Sequence, residues 1–192
     1  MTFILRKRKA TLMTPFVDRM IRASKLDVSL YEEVEADKNA MGQAVAVVGL
    51  ASLAGGIGFM QTAGLTGLVI GTAGSLIGWY VWAFLTYIIG TKLLPEPQTK
   101  ADHGELLRTI GFSSAPGILR VFAIIPGLAS IVNLLVGAWM LIAMVIAVRQ
   151  ALDYHSTYRA LGVCLVGWFV QAAIIALVFS LTDGAQQPML EH

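Results

Sequence analysis

Four long apolar stretches constrain the fold of this 192-residue chain more than any other feature. A hydrocarbon core about 30 Å thick requires about 20 apolar residues per helix. Four stretches reach that length: 40–60, 65–94, 128–148 and 160–181. Only 14% of the residues are charged, against about 25% in soluble domains. The chain is therefore predicted to be an all-α polytopic membrane protein, without a sizeable soluble domain.

A fifth apolar segment, 105–127, is shorter and irregular. It contains Arg108, Arg120, two prolines and a Gly-Phe-Ser-Ser turn, which ordinary spanning helices avoid. Lys and Arg concentrate on the cytoplasmic side of membrane proteins. If this segment did not cross, Arg149 and Arg159 would fall on the wrong side. We therefore predict a five-helix bundle with its N-terminus in the cytoplasm and its C-terminus outside.

The third crossing is expected to be a broken helix. An interfacial helix is predicted at 105–110, followed by a break at 111–116 and a short crossing that leans on its neighbours. Only 118–125 is cleanly apolar, and it contains Arg120. An arginine at a helix centre costs about 3 kcal/mol on insertion scales.

Residues 1–39 are predicted to form a cytoplasmic extension with two short helices, ahead of a membrane domain at 40–182 and a short outer tail at 183–192 that ends in a tag remnant. Thr14-Pro15 begins an amphipathic helix at about 14–25. The apolar residues of this helix share one face: Met13, Phe16, Val17, Met20 and Ile21.

This amphipathic helix is expected to lie on the cytoplasmic leaflet, helped by the basic run 6–9, which would bind anionic lipid. A capping box from Ser29 to Glu32 begins a second, acidic helix at about 30–38.

The second apolar stretch carries five glycines on one helical face: Gly64, Gly67, Gly71, Gly74 and Gly78. Missing side chains let helix backbones approach closely. We favour packing between the first and second spans, because the short turn 61–64 already forces them together. The alternative is the seam of a homo-oligomer.

Acidic residues cluster in the second short helix: Glu32, Glu33, Glu35 and Asp37. They could form a surface for a cation or for a basic cytoplasmic partner. The favoured alternative is a solvated face that pairs with Lys92, Lys100 and Arg108 of the next cytoplasmic connection.

Three polar side chains lie within the predicted spans: Arg120, Asn133 and Gln171. Intramembrane polar groups are candidates for an ion or solute path. Alternatively, Asn133 and Gln171 satisfy broken backbone of the third segment, and Arg120 reaches the outer interface. No carboxylate lies in a predicted span, which argues against proton-coupled transport.

Catalysis is not expected. Gly111-Phe112-Ser113 has the Gly-x-Ser form of intramembrane serine proteases, but a serine nucleophile needs a histidine base, and His103 and His155 fall in predicted loops. The single cysteine, Cys164, offers neither a disulfide nor metal-ligand spacing. We predict no cofactor, no metal and no nucleic-acid partner.

Short motifs follow one another in a fixed order over residues 30–181. Leu-Tyr-Glu-Glu-Val-Glu-Ala-Asp at 30–37 leads into Gly42-Gln43-Ala44 and Gly55-Gly56-Ile57-Gly58, then Thr86-Tyr87-x-x-Gly90. The series ends with Leu106-Leu107-Arg108-x-x-Gly111-Phe112-x-x-x-Pro116 and Pro126. In order and spacing it resembles the Yip domain family (Ypt-interacting proteins), and its bacterial members in particular.

The resemblance implies a five-span membrane protein without known catalysis, and it emphasises Gly111, Phe112, Pro116 and Pro126. Eukaryotic relatives bind prenylated Rab-type GTPases through cytoplasmic regions. That role is not carried over, because this chain lacks their long N-terminal domain and a bacterium lacks those partners. We expect a scaffold or adaptor in the bacterial inner membrane. The alternatives are a channel or transporter along the broken third segment and, more distantly, an intramembrane hydrolase.

Overall fold

The computed structural model describes residues 15–56, 60–125 and 127–184, and every regular element in these ranges is helical. The prediction of an all-α class is thereby confirmed. The α-helices are α1 (Pro15–Ser24), α2 (Val28–Ala36), α3 (Met41–Gly56), α4 (Met60–Ile88), α5 (His103–Ser113), α6 (Ala129–Ala151) and α7 (Thr157–Gly184). A π-helical turn, Ile89–Leu93, follows α4, and a short 3₁₀ turn, Lys38–Ala40, precedes α3.

Four segments are long and apolar enough to cross a bilayer, and they match the four predicted stretches: Lys38–Gly56, Gly64–Leu93, Ala129–Ala151 and Thr157–Leu177. The chain is thus an integral membrane protein. The irregular segment 105–127 is third in chain order and is hereafter called the third segment. It is divided between α5 and a ten-residue 3₁₀ helix, Ala115–Ile124, hereafter the 3₁₀ segment. Neither piece reaches spanning length by itself, so a fifth crossing remains a prediction.

The third segment changes from α-helix to 3₁₀ helix at Ser114, within the range 111–116 predicted for its break. A capping box begins α5, with Glu105 N–H donating to Asp102 Oδ1 at 2.8 Å and Asp102 N–H donating to Glu105 Oε2 at 2.7 Å. The α-helix then continues through Gly111 to Ser113 before it tightens. Pro116 lies in the first turn of the 3₁₀ segment, where its missing N–H removes no helical bond.

The third segment packs parallel to α3. A Cβ atom built at Gly111 would lie 2.8 Å from Ala44 Cβ, and one built at Gly117 would lie 3.0 Å from Ala51 Cβ. Further along, a Cβ atom built at Gly55 would lie 3.6 Å from the Arg120 side chain. Residue numbers rise together on both partners, so α5 and the 3₁₀ segment run in the same direction as α3.

The start of α2 differs from the prediction. Asp27 is the N-cap, and its side chain accepts a hydrogen bond from Ser29 N–H at 3.0 Å. The predicted capping box from Ser29 to Glu32 is therefore wrong, because the helix begins at Val28 and Ser29 already lies inside it. A left-handed Leu26, with φ of 61°, ends the turn after α1.

Only part of the apolar face of the amphipathic helix α1 packs against the rest of the protein. Phe16 and Met20 pack against a core that contains Phe112. Val17 and Ile21 stay about 40% exposed. Contact with the leaflet remains a prediction for these two side chains, whereas Met13 and the basic run 6–9 lie outside the described residues.

The connection between α4 and α5 is hydrogen-bonded to the connection between α6 and α7. The carboxylate of Glu96 accepts hydrogen bonds from the backbone N–H groups of His155, at 3.0 Å, and Ser156, at 3.4 Å. The Tyr154 hydroxyl lies 2.7 Å from the Leu94 carbonyl oxygen, and burial raises the pKa of Tyr154 to about 12. These contacts fix the start of α7 against the end of α4.

Candidate functional site

A cavity of about 680 Å³ lies between the long helices, hereafter the central cavity. Residues of α3, α4, α5, the 3₁₀ segment, α6 and α7 all contribute to its wall. Arg120, Asn133 and Gln171, the three polar residues predicted from three different spans, line it together. Their use as a path for ions or solutes stays a prediction.

Several polar atoms at the central cavity have no hydrogen-bond partner among the described residues. Arg120 Nε, Gln171 Oε1 and Trp82 Nε1 are each buried and unpaired. The alternative in which Gln171 satisfies broken backbone is therefore wrong for its side-chain oxygen. Arg120 packs its side chain against Gly55 within the bundle.

The glycine face of α4 does not form the predicted close contact with α3. A Cβ atom built at Gly71, Gly74 or Gly78 would meet no described heavy atom within 4 Å. Gly71 and Gly78 instead line the central cavity, whose width depends on their missing side chains. A homo-oligomeric seam on this face remains a prediction.

Gly64 has a different role from the other glycines of α4. Its φ of 60° and ψ of −162° interrupt the helix, and only glycine adopts this conformation readily. Gly64 therefore separates the first turn of α4 from the uninterrupted helix that follows. No contact is described for Gly67, so its predicted packing stays untested.

Two of the four predicted acidic residues are neutralised by α1. Arg19 pairs with Glu33 and with Asp37, each at 2.8 Å, and Arg22 also pairs with Glu33. Burial raises the pKa of Glu33, but hydrogen bonds from both arginines outweigh it and leave that pKa below its usual value. The predicted pairing with Lys92 and Lys100 is thus replaced by pairing within the N-terminal extension.

Arg108 joins the third segment to α2 through backbone carbonyl groups. It is 4% exposed, and its Nε–H donates to the Val34 carbonyl at 2.8 Å while a second N–H donates to the Glu35 carbonyl. A guanidinium group at a helix C-terminus satisfies free carbonyls and complements the helix dipole. Sequence reasoning had assigned Arg108 a carboxylate partner instead.

The other two acidic residues line a second cavity of about 500 Å³, hereafter the acidic cleft. Glu32 and Glu35 are joined there by Glu105 and Asp153, which sequence reasoning missed. The wall is completed by Ala36, Arg149, Gln150, Tyr154 and His155. Burial, and then the charges of Asp153, Glu105 and Glu32, raise the pKa of Glu35 to about 7.

The residues of the family-like motif are buried around α3. Phe112 and Pro116 are fully buried, and Gly111 lies against Ala44. Pro126 lies outside the described residues. Gly127 has a φ of 82°, and Leu128 N–H donates to the Ile125 carbonyl at 3.1 Å. The motif thus holds the third segment against its neighbour.

No serine–histidine pair forms within the described part of the chain. The Ser113 hydroxyl is buried and donates to the Ile110 carbonyl at 2.7 Å. The His103 ring packs edge-on against Tyr80 and Phe84, with centroids 5.0 and 5.7 Å apart, and neither ring nitrogen has a hydrogen-bond partner. The described residues also contain no cluster of three or more side chains suited to a metal ion.

Four membrane-length helices and a broken third segment that packs parallel to α3 define a polytopic membrane protein. The family model of the Yip1 domain matches residues 32–181, and the chain belongs to that family. The resemblance seen in the short motifs is thereby confirmed. No curated protein and no solved structure matches the chain.

Proposed function

We propose that this protein is a non-catalytic membrane scaffold or adaptor, and that its acidic cleft binds a basic segment of a cytoplasmic partner. The observation that carries the proposal is the convergence of four carboxylates in one cleft: Glu32, Glu35, Glu105 and Asp153. Burial is the main cause of the raised pKa of Glu35, and repulsion from the neighbouring carboxylates raises it further. A cationic partner would relieve that repulsion.

The scaffold around the cleft supports a binding role. Arg19 and Arg22 fasten α1 to α2, and Arg108 fastens α2 to the third segment. The cleft wall is therefore held in place before a partner arrives, which lowers the entropy cost of association.

A fluorescent Lys- and Arg-rich peptide, titrated into the detergent-solubilised protein and followed by anisotropy, tests the adaptor function. Binding should tighten between pH 6 and pH 8, because Glu35 loses its proton through about pH 7 while the peptide stays fully charged. Glu35→Gln should weaken binding several-fold at pH 8 and flatten the pH response.

The matched control is Asp18→Asn, which removes the same charge outside the cleft. His155 also lines the cleft, so His155→Gln should keep the pH response if Glu35 causes it. Equal losses in Glu35→Gln and Asp18→Asn, or tighter binding at pH 6, would contradict the proposal.

We further propose that the third segment crosses the membrane, which gives five spans, a cytoplasmic N-terminus and an outer C-terminus in a bacterial inner membrane. Its parallel packing on α3 supports this topology. The helix α4 lies between α3 and the third segment in the chain and returns the chain to the side of the membrane where α3 begins. A third segment that runs parallel to α3 therefore starts on that same side. The basic residues near both starts favour the cytoplasmic side.

A channel or transporter is the second candidate function, favoured by the meeting of Arg120, Asn133 and Gln171 at the central cavity. Transporters use broken helices to place polar groups at midplane sites. Liposomes that contain the purified protein should then release a trapped anion such as phosphate, and Arg120→Ala should abolish the release. Absence of flux, or flux untouched by this substitution, would argue against transport.

A further inference from the structure

Two polar residues of the central cavity, Arg120 and Gln171, lie beyond the midpoint of the bundle. Gly55, which touches Arg120, is fourteen residues from the start of α3 at Met41. Gln171 is likewise fourteen residues from the start of α7 at Thr157. At 1.5 Å per residue both lie about 21 Å along their helices, in the outer half of a core about 30 Å thick.

The unpaired groups of the central cavity suit an anion. Arg120 carries a fixed positive charge, and its Nε–H and the Trp82 indole N–H are buried donors without acceptors. Gln171 can present its NH₂ group in place of its unpaired oxygen by a half-turn of the amide. The sequence contains no Asp or Glu in 40–94, 106–152 or 154–182, the ranges that include every residue of the cavity wall. The cavity wall therefore supplies no carboxylate as a counter-ion for Arg120.

The remaining wall of the central cavity is mostly apolar. Val48, Ile110, Met140 and Met144 line it, together with the ring of Trp79. Methionine side chains adapt to irregular apolar ligands. A volume of about 680 Å³ is also much larger than a bare inorganic anion needs. The cavity therefore matches an amphiphile with one anionic group and an apolar chain.

We propose that the central cavity binds a phosphate oxyanion, carried by a phospholipid, with the phosphate at Arg120 and an acyl chain along the apolar wall. Arg and buried N–H donors form short, charge-assisted hydrogen bonds to phosphate oxygens. The bound headgroup would supply the counter-charge that Arg120 lacks. This inference goes beyond the adaptor function, because the central cavity and the acidic cleft share no residue.

Three ligands added to the delipidated wild-type protein in neutral detergent test the proposal without any substitution. Phosphatidylglycerol carries phosphate and acyl chains, diacylglycerol carries the chains alone, and inorganic phosphate carries the anion alone. Native mass spectrometry should show one retained phosphatidylglycerol and little of the other two. Equal retention of diacylglycerol would overturn the anion site, and equal occupancy by inorganic phosphate would overturn the assignment to lipid.

Substitutions at Arg120 locate the site. Arg120→Gln should weaken phosphatidylglycerol binding about tenfold or more, which is the loss expected for a charge-assisted hydrogen bond, and Arg120→Lys should retain part of the affinity. Lys92→Gln, an exposed residue outside the cavity, is the matched control. Unchanged binding in Arg120→Gln, or an equal loss in Lys92→Gln, would overturn the proposal.

Liposome flux separates this inference from the transport candidate. Phosphatidylglycerol binding without anion release supports the lipid site and contradicts transport. Anion release without saturable phosphatidylglycerol binding would overturn the lipid site and support transport through the central cavity.

Discussion

Replacement of Gly111 by alanine is expected to destabilise the protein, although alanine is the better helix former. The new Cβ atom would lie 2.8 Å from Ala44 Cβ and 3.3 Å from Ala44 Cα. Neither atom can rotate away, so α3 and α5 must separate. Overpacking of this kind costs about 1–3 kcal/mol, whereas the gain in helix propensity is about 0.5–1 kcal/mol. The cost of overpacking therefore exceeds the gain in helix propensity, and Gly111→Val should destabilise the protein more than Gly111→Ala.

Thermal unfolding can be followed through Cys164, the only cysteine of the chain, which is 8% exposed in the folded protein. A fluorogenic thiol reagent should report a melting temperature about 2–8 °C lower for Gly111→Ala than for wild type.

Two variants serve as controls for the Gly111 substitution. Gly49→Ala places a methyl group on α3 where no described atom lies within 4 Å, and it should leave the melting temperature unchanged or slightly higher. Ala44→Gly should restore stability when combined with Gly111→Ala. A wild-type melting temperature for Gly111→Ala, or no rescue in the double variant, would show that this contact does not limit stability.

The second large effect is expected in the sidedness of labelling. In a background in which Cys164 is replaced by serine, single cysteines are placed at Leu128, just before α6, and at Tyr158, in the first turn of α7. Both positions are exposed, at 41% and 88%. With five crossings, a membrane-impermeant maleimide applied to intact cells should label Leu128→Cys, and it should label Tyr158→Cys only after permeabilisation.

Four crossings would invert this pattern, so the result is close to all-or-none. If the third segment returned to its own side, Leu128 would remain in the cytoplasm and Tyr158 would lie outside. Permeabilised cells provide the control, since both cysteines should then react. Labelling of Tyr158→Cys in intact cells would contradict the proposed topology.

Patterns local to the sequence predicted the spans and the polar side chains of the cavity. Hydropathy is set by composition within each stretch, and Arg120, Asn133 and Gln171 stand out because apolar residues surround them. Trp82 was missed as a donor because its ring is apolar and its unpaired N–H becomes visible only in three dimensions.

Features that depend on how elements face each other were predicted less well. Asp27 and Ser29 are both good N-caps, and the local sequence does not choose between them. The pairing of Arg19 and Arg22 with Glu33 depends on the fold-back of α1 at Leu26, a residue with no turn signal. Spacing placed the α4 glycines on one face but could not reveal that this face borders a cavity.

The tight winding of the 3₁₀ segment gives the third segment a mechanical property. Ten residues extend about 20 Å as a 3₁₀ helix but about 15 Å as an α-helix, and each residue turns about 120° instead of about 100°. Rewinding the segment would therefore shorten it by about 5 Å and twist its far end by about 200° relative to Ala115. Arg120, halfway along, would swing through about 100°. The helical pitch of the 3₁₀ segment thus sets the direction in which the Arg120 side chain points.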